Sequence, residues 1–300
     1  MSPVEPAWPP TAPAPAAGAS LQAELAQAHQ QLDDLRQAQQ AFVRRVVHDL
    51  RAPLRHVTSY GVLVRELLQE LPEPPEQVVE ALDCVATMEQ SARRMADMLD
   101  ALRALQQAES QPLQCAAIDP LALLRPCAEL LTLRAAAAQS AGPATGSIAS
   151  PPRQVHWQFD PAMPALWADA QALRSLLEQL LDNALKFTRD QPDTRISVSA
   201  RLIEPAQPSG AGARVRLCLQ DNGAGFDPER APALFGLFER LHSESQFPGL
   251  GCGLALCRVL AERHGAHIRA SARPGQGCLV ELDWPAAPTP PAQPVPPAQS

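Results

Sequence analysis

Lysine is nearly missing from this chain of 300 residues: of 25 basic residues only Lys186 is a lysine, and the rest are arginine. Aromatics are scarce at 4%, and the formal net charge of -7 leaves no basic surplus. A general nucleic-acid binder needs that surplus against a phosphate backbone, so none is expected, although one small anion pocket remains compatible. The seven cysteines, Cys84, Cys115, Cys127, Cys218, Cys252, Cys257 and Cys278, contain no Cys-x-x-Cys pair and are odd in number. They read as small core residues of a reducing compartment. No run approaches the ~18 consecutive apolar residues of a membrane span. The N-terminus lacks a basic-then-apolar leader. A cytoplasmic chain without a membrane span is expected.

Hydrophobic residues make up 46% of the sequence, enough for a buried core, and the length suits about two domains. Residues 1–19 and 285–300 are rich in proline and expected to be disordered tails. From Ser20, a candidate N-cap, Leu21, Leu25, Ala28, Leu32, Leu35, Gln39, Phe42 and Val46 recur at alternating four- and three-residue steps. That heptad pattern predicts a long helix and a homodimer. Val46, Leu50 and Leu54 then break the rhythm, and Pro53 is expected to kink the helix. Pro72 to Pro75 make a turn. A second helix over about 76–108, with Val78, Leu82, Val85, Met95, Leu99 and Leu102 inward, completes a hairpin, which becomes a four-helix bundle as a dimer. A linker at 109–118 follows. Helices over 119–138, 170–187 and 253–264 alternate with strands near 154–159, 194–203, 213–220, 267–273 and 277–284. The fold class is α+β: a helical hairpin over 20–108, then a two-layer α/β sandwich over 119–284.

Four segments carry chemistry. His48 lies two residues past Val46, turned from the seam, beside Asp49 and before Pro53. A neutral imidazole is a nucleophile near pH 7, and an adjacent carboxylate can hold its Nδ1–H so that Nε2 is free to attack. Asn183 and Lys186 are three apart and share a helix face, where Lys186 can neutralise a phosphate. The amide oxygen of Asn183 suits Mg²⁺, which prefers oxygen ligands. Asp221-Asn222-Gly223-Ala224-Gly225-Phe226 follows a strand; its carboxylate can accept from an exocyclic amine, and its glycines admit a flat ring. Gly249, Gly251 and Gly253 open a helix and form a flexible anion cradle that follows neither the dinucleotide nor the Walker spacing.

In order and spacing, these segments resemble the histidine protein kinases of two-component systems over about residues 40–284. FVRRVVHDLRAPLRHV (42–57) is similar to the phosphoacceptor box, LLEQLLDNALKFT (176–188) to the N box and DNGAGF (221–226) to the first glycine box. FGLFERLH (235–242) is similar to the F box and GLGCGLAL (249–256) to the second glycine box. The 240–243 stretch is closest to the bacterial phytochrome subgroup. The resemblance implies an ATP-binding domain of the kind shared with Hsp90 and MutL, with ATP and Mg²⁺ as cofactors. It implies His48 as phosphoacceptor, Asp49 as its base, Asn183 on Mg²⁺, Lys186 on phosphate and Asp221 on the adenine amine. Gly223 and Gly225 would admit adenine, and Gly249, Gly251 and Gly253 would hinge a lid started by Phe235 and Phe238. Arg240 and His242 are further phosphate candidates. It implies a response regulator receiver domain as partner; residues 1–40 offer no sensor domain, so a separate sensor protein or another chain is the expected source of input. Val47 before the histidine, Ala52 four residues after it, Gln179 and Cys278 depart from the family's usual residues, and Ala52 puts phosphatase activity in question. The alternative is a catalytically silent ATP-binding dimeric scaffold.

Overall fold

The computed structural model describes residues 16–69, 76–140, 154–203, 212–243 and 246–288. Of the expected tails 1–19 and 285–300, residues 1–15 and 289–300 lie outside them, as does the turn at 72–75, whereas 16–19 are helical and Pro285 ends a strand. Two helices, α1 (Ala16–Gln69) and α2 (Glu76–Ser110), form the expected hairpin. Arg51 pairs with Asp100, and Arg65 with Glu89, so the helices run antiparallel. α1 passes through Pro53 as one helix and is already helical at Ala16, upstream of the expected cap at Ser20.

The hairpin's buried seam is Val47, Leu54, Ala92 and Leu99, a seven-residue repeat on each helix. Val47 therefore belongs to the core, which explains an apolar residue directly before His48, while Val46 is only half-buried. Met95, expected inward, is 49% exposed; Ala92 and Leu99 take the inward positions of its turn. The side chains of Leu21, Ala28, Leu32, Leu35, Gln39 and Phe42 lie outside the described residues, so the upstream heptads stay a sequence expectation. Leu50, Val57, Leu63, Val64 and Leu67 leave an apolar face of α1 uncovered by its own chain.

Beyond the hairpin, the sandwich is built from a five-stranded sheet of order β2-β4-β5-β7-β6. Its strands are β2 (Gln154–Phe159), β4 (Asp193–Ile203), β5 (Arg214–Asp221), β6 (His267–Ala272) and β7 (Cys278–Pro285). Among the described residues, only β2 and β4 pair in parallel. β5 alternates Val215, Leu217 and Leu219 into the core with Arg214, Arg216 and Cys218 outward, the period of a sheet covered on one side. Helices α3 (Pro120–Ser140), α4 (Ala170–Phe187) and α5 (Gly253–Arg263) complete the second layer. Leu173, Leu176, Leu177, Leu180 and Leu181 bring the apolar face of α4 into the shared core, each worth about 1.5–3 kcal/mol on burial. On the bare face, Arg216 grips Asp283 at 2.7 and 3.1 Å, and Arg269 pairs with Glu281 at 2.9 Å.

Two short strands had no sequence signal. β1 (Cys115–Ile118) pairs with β3 (Leu166–Asp169), so the expected linker at 109–118 ends in a strand, and only 111–114 connects helix to sheet. α4 starts where expected because Asp169 caps it: Oδ1 accepts from the backbone N–H groups of Gln171 and Ala172, at 3.0 Å each.

His264 closes α5. Its Nδ1–H donates to Leu260 O at 2.7 Å, and Nε2 accepts from Asp169 N at 3.1 Å. Only the neutral ring can do both. Burial holds its pKa below the usual histidine range. The neutral ring's contribution to stability is complete above pH ~6.5 and lost as pH falls toward the depressed value. Thermal unfolding of wild type and His264→Gln across pH 5–8 should show a stability difference that shrinks below about pH 6.5.

Candidate functional site

A cavity of about 330 Å³ opens between α4, the ends of β5 and β7, and the segment 239–253. One wall is α4, whose Gln179, Asn183 and Lys186 follow each other at helical spacing on the face away from the leucine core. The opposite end holds Asp221, Gly225 and Cys278. Gly249, Gly251 and Gly253 line the roof with Arg240 and His242. Residues spread over about a hundred positions of sequence thus converge.

Asp221 is buried at the end of β5. Its Oδ1 accepts from Gly223 N at 2.8 Å and Cys278 N at 3.2 Å. Burial pushes its carboxyl up to about 6, against the pull of those two N–H groups. The turn around it leaves no room for side chains. Gly225 sits at φ 61° and Gly277 at φ 79°. A methyl on Gly225 would strike the carbonyl of Arg273, and one on Gly277 the carbonyl of Asp221. Gly223 shapes this turn without lining the cavity.

On α4, Asn183 Nδ2 is buried without a hydrogen-bond partner, an orphan at the cavity wall. Gln179 and Asn183 both abut Gly253 at the start of α5. Lys186 is half-buried, with Nζ 5.0 Å from the Phe187 ring centroid. Burial lowers its pKa, nearby Arg240 lowers it further, and Asp182 pulls it back. Two cations so close around a cavity make a ready anion site.

Arg240 donates to Gly249 O at 2.6 Å and Phe247 O at 2.7 Å, and His242 Nε2 donates to Gly225 O at 2.8 Å. Both side chains, expected as phosphate contacts, here tie down the roof. Phe235 and Phe238 lie outside the cavity wall, with Phe238 at φ 61°. The roof's anchor is Phe247, which the sequence reading missed. It is buried against Phe187 at 5.0 Å and His242 at 5.1 Å, with the Arg189 guanidinium 4.7 Å from its ring. A lone aromatic amid a polar and glycine-rich stretch was the available signal.

A second centre lies on α1. The His48 side chain is 88% exposed, with Nδ1 3.0 Å from Asp49 Oδ1. One turn on, Arg51 is held by Asp100 of α2.

Among the described residues no helix is long and apolar enough to cross a membrane, and no cluster of three or more His, Cys, Asp or Glu could hold a metal ion. A Mg²⁺ ion fits here only as a cation held by the amide of Asn183, with Gln179 beside it, and completed by ligand oxygens and water. Only the side-chain oxygen of Asn183 could meet that requirement, since the unpartnered Nδ2 is a donor and suits an oxygen of the ligand instead.

Gly277→Ala should lower stability by about 2–4 kcal/mol through the forced clash and left-handed φ. Chemical denaturation of the variant against wild type measures it.

Residues 168–288 match the family described as histidine kinase-, DNA gyrase B-, and HSP90-like ATPase. The chain is 32% identical over 124 residues to the phytochrome-like protein Cph1 of Synechocystis, covering 41% of this chain and 15% of that one. It is 30% identical over 250 residues to the phosphate regulon sensor protein PhoR of Pseudomonas aeruginosa, covering 81% and 49%. The adaptive-response sensory kinase SasA of Synechocystis is 27% identical over 243 residues, covering 80% and 57%. The chain therefore spans less than two thirds of the length of each of these relatives. Full-length ShkA, solved in complex with AMPPNP, shares the fold with a TM-score of 0.52 at 24% identity, covering 82% of this chain and 46% of that one.

Proposed function

We propose that the chain is a histidine protein kinase, a reading supported by the match of residues 168–288 and by its likeness to SasA and PhoR, and that it transfers the γ-phosphoryl group of ATP to its own His48. The phosphoryl group then passes to an aspartate of a response regulator receiver domain. The observation that carries this reading is the convergence of Asn183, Lys186 and Asp221 on one cavity under a glycine-rich roof.

Asp221 Oδ2 is free to accept from the adenine amine, because Oδ1 takes both backbone N–H groups. Gly225 leaves space for the ring. Lys186 and Arg240 face the phosphates, and Arg240 exchanges its roof carbonyls for phosphate oxygens as ATP enters. Asn183 would hold Mg²⁺ through its side-chain oxygen, and the ion would supply neutralisation of phosphate charge. On α1, His48 Nδ1–H donates to Asp49, so the Nε2 lone pair attacks the γ-phosphorus in line with departing ADP. Asp49 steadies the positive charge that develops on the ring and assists loss of the Nδ1 proton. Phosphoryl transfer asks mainly for positioning and charge neutralisation, which these groups provide. The exposed apolar face of α1, with Met88 and Met95 of α2, suits a homodimer closing a four-helix bundle. Ala52 leaves no polar side chain to orient water for dephosphorylation.

Radiolabelled ATP tests the reading. Wild type should acquire an acid-labile, base-stable label that His48→Gln lacks. Asn183→Asp should lose label by about a hundredfold or more while keeping its far-ultraviolet dichroism. Nucleotide binding without any label in wild type would leave the silent scaffold instead.

Recognition through Asp221 also fixes a pH dependence. The carboxylate is ionised above about 6 and protonated below it. Adenosine, which does not titrate in this range, should bind about tenfold more weakly at pH 5 than at pH 7 by calorimetry. Asp221→Asn should bind weakly at both.

A further inference from the structure

The last turn of α2 contains no basic residue to meet the negative end of its dipole. A cation from elsewhere supplies it: Arg263, the last residue of α5, donates to the carbonyl of Ala108 at 2.6 Å. Helix-terminal carbonyls otherwise lack partners, and a charged donor makes the stronger bond. A second tether lies across the connection 111–114. Gln114 N donates to Asp169 Oδ2 at 2.9 Å, and Asp169 N donates in turn to His264, the neighbour of Arg263. The short connection is thus fastened on one side by Arg263 of α5 and on the other by Asp169, the cap of α4, which bonds His264 beside Arg263. The other end of α5, Gly253, abuts Gln179 and Asn183 in the cavity wall. With 11 residues, α5 is a rod of about 16 Å between the two.

A cleft of about 670 Å³ runs beside the connection, lined by Gln107, Gln111, Gln114, Gln171 and Ser175. It leaves space for the connection to bend if the tethers let go. Meanwhile His48 is 88% exposed, so in this arrangement the nucleotide domain leaves the nucleophile almost uncovered.

We propose that Arg263 is a positioning residue for phosphoryl transfer. It clamps the nucleotide-binding domain to the end of α2 in a resting orientation, from which the domain must be released to reach a His48. α5 spans from that clamp to the cavity wall, and the clamp acts on domain orientation without altering the cavity itself. The proposal rests on the reading that His48 receives phosphate from ATP. It assigns Arg263 no contact with the nucleotide.

The test uses the full chain as wild type, Arg263→Ala, Arg263→Lys and His48→Gln. Hydrogen exchange at the Gln114 amide should quicken by about fivefold or more in Arg263→Ala. Affinity for a fluorescent ATP analogue should stay within about twofold. The initial rate of His48 labelling at saturating ATP should rise about threefold or more, with Arg263→Lys in between because one donor remains. Unchanged exchange at Gln114, a labelling rate that holds or falls, or a change accounted for by ATP affinity would each overturn the clamp. Absence of label in wild type would instead defeat the phosphotransfer reading, while exchange at Gln114 still decides whether the tether exists.

Discussion

The cavity depends on a set of backbone hydrogen bonds that lace three distant segments together. Ala224 N reaches Phe187 O at 3.0 Å, Gly275 N reaches Ala224 O at 2.7 Å, and Gly277 N reaches Gly223 O at 3.0 Å. These bonds fasten the end of α4, the turn after β5 and the turn before β7 into one unit. They come close enough only because glycine occupies 225 and 277. Asp221 owes its burial, and so its raised pKa, to that closeness. Its carboxylate is oriented by main-chain donors, which no rotamer change can withdraw.

The roof follows a different logic. Arg240 holds it through two carbonyls, and Phe247 fills the space beside Phe187 and His242. Charge and aromatic packing close this side, where the main chain closes the other. Side-chain bonds can be exchanged for bonds to a ligand; a laced turn cannot. One half of the cavity is therefore fixed and the other adjustable, a sensible division for a site that must admit and release a large anion.

Much of this was legible in the sequence. The leucine periodicity of α4 placed Asn183 and Lys186 on the polar face, and the bounds 170–187 held because a capping aspartate stands at 169. Position His48 beside Asp49 with an outward ring was also readable from the heptads. Other features were hidden for physical reasons. β1 and β3 are four residues each, too short for a period-two pattern to stand out, and their pairing joins segments some fifty residues apart. The seam at Val47 reflects packing between α1 and α2 within the hairpin, a contact separate from the seam between two chains that the heptads through Val46 lead one to expect. Met95 faces away from the hairpin's own seam because a helix with several neighbours has more than one apolar face. The roles of Arg240 and His242 in holding the roof, and the anchoring by Phe247, arise from tertiary contacts that no local pattern encodes.

The single parallel pair in the sheet carries one more implication. β2 and β4 can lie side by side only if the chain between them doubles back over one face, and that stretch contains α4. Joining ends separated by loose chain is entropically unfavourable, and a formed helix shortens the effective span. The helix bearing Asn183 and Lys186 is therefore part of the crossover that the edge pairing of the sheet requires. Its apolar face fills the core while its polar face lines the cavity, so one element serves both the sheet and the site.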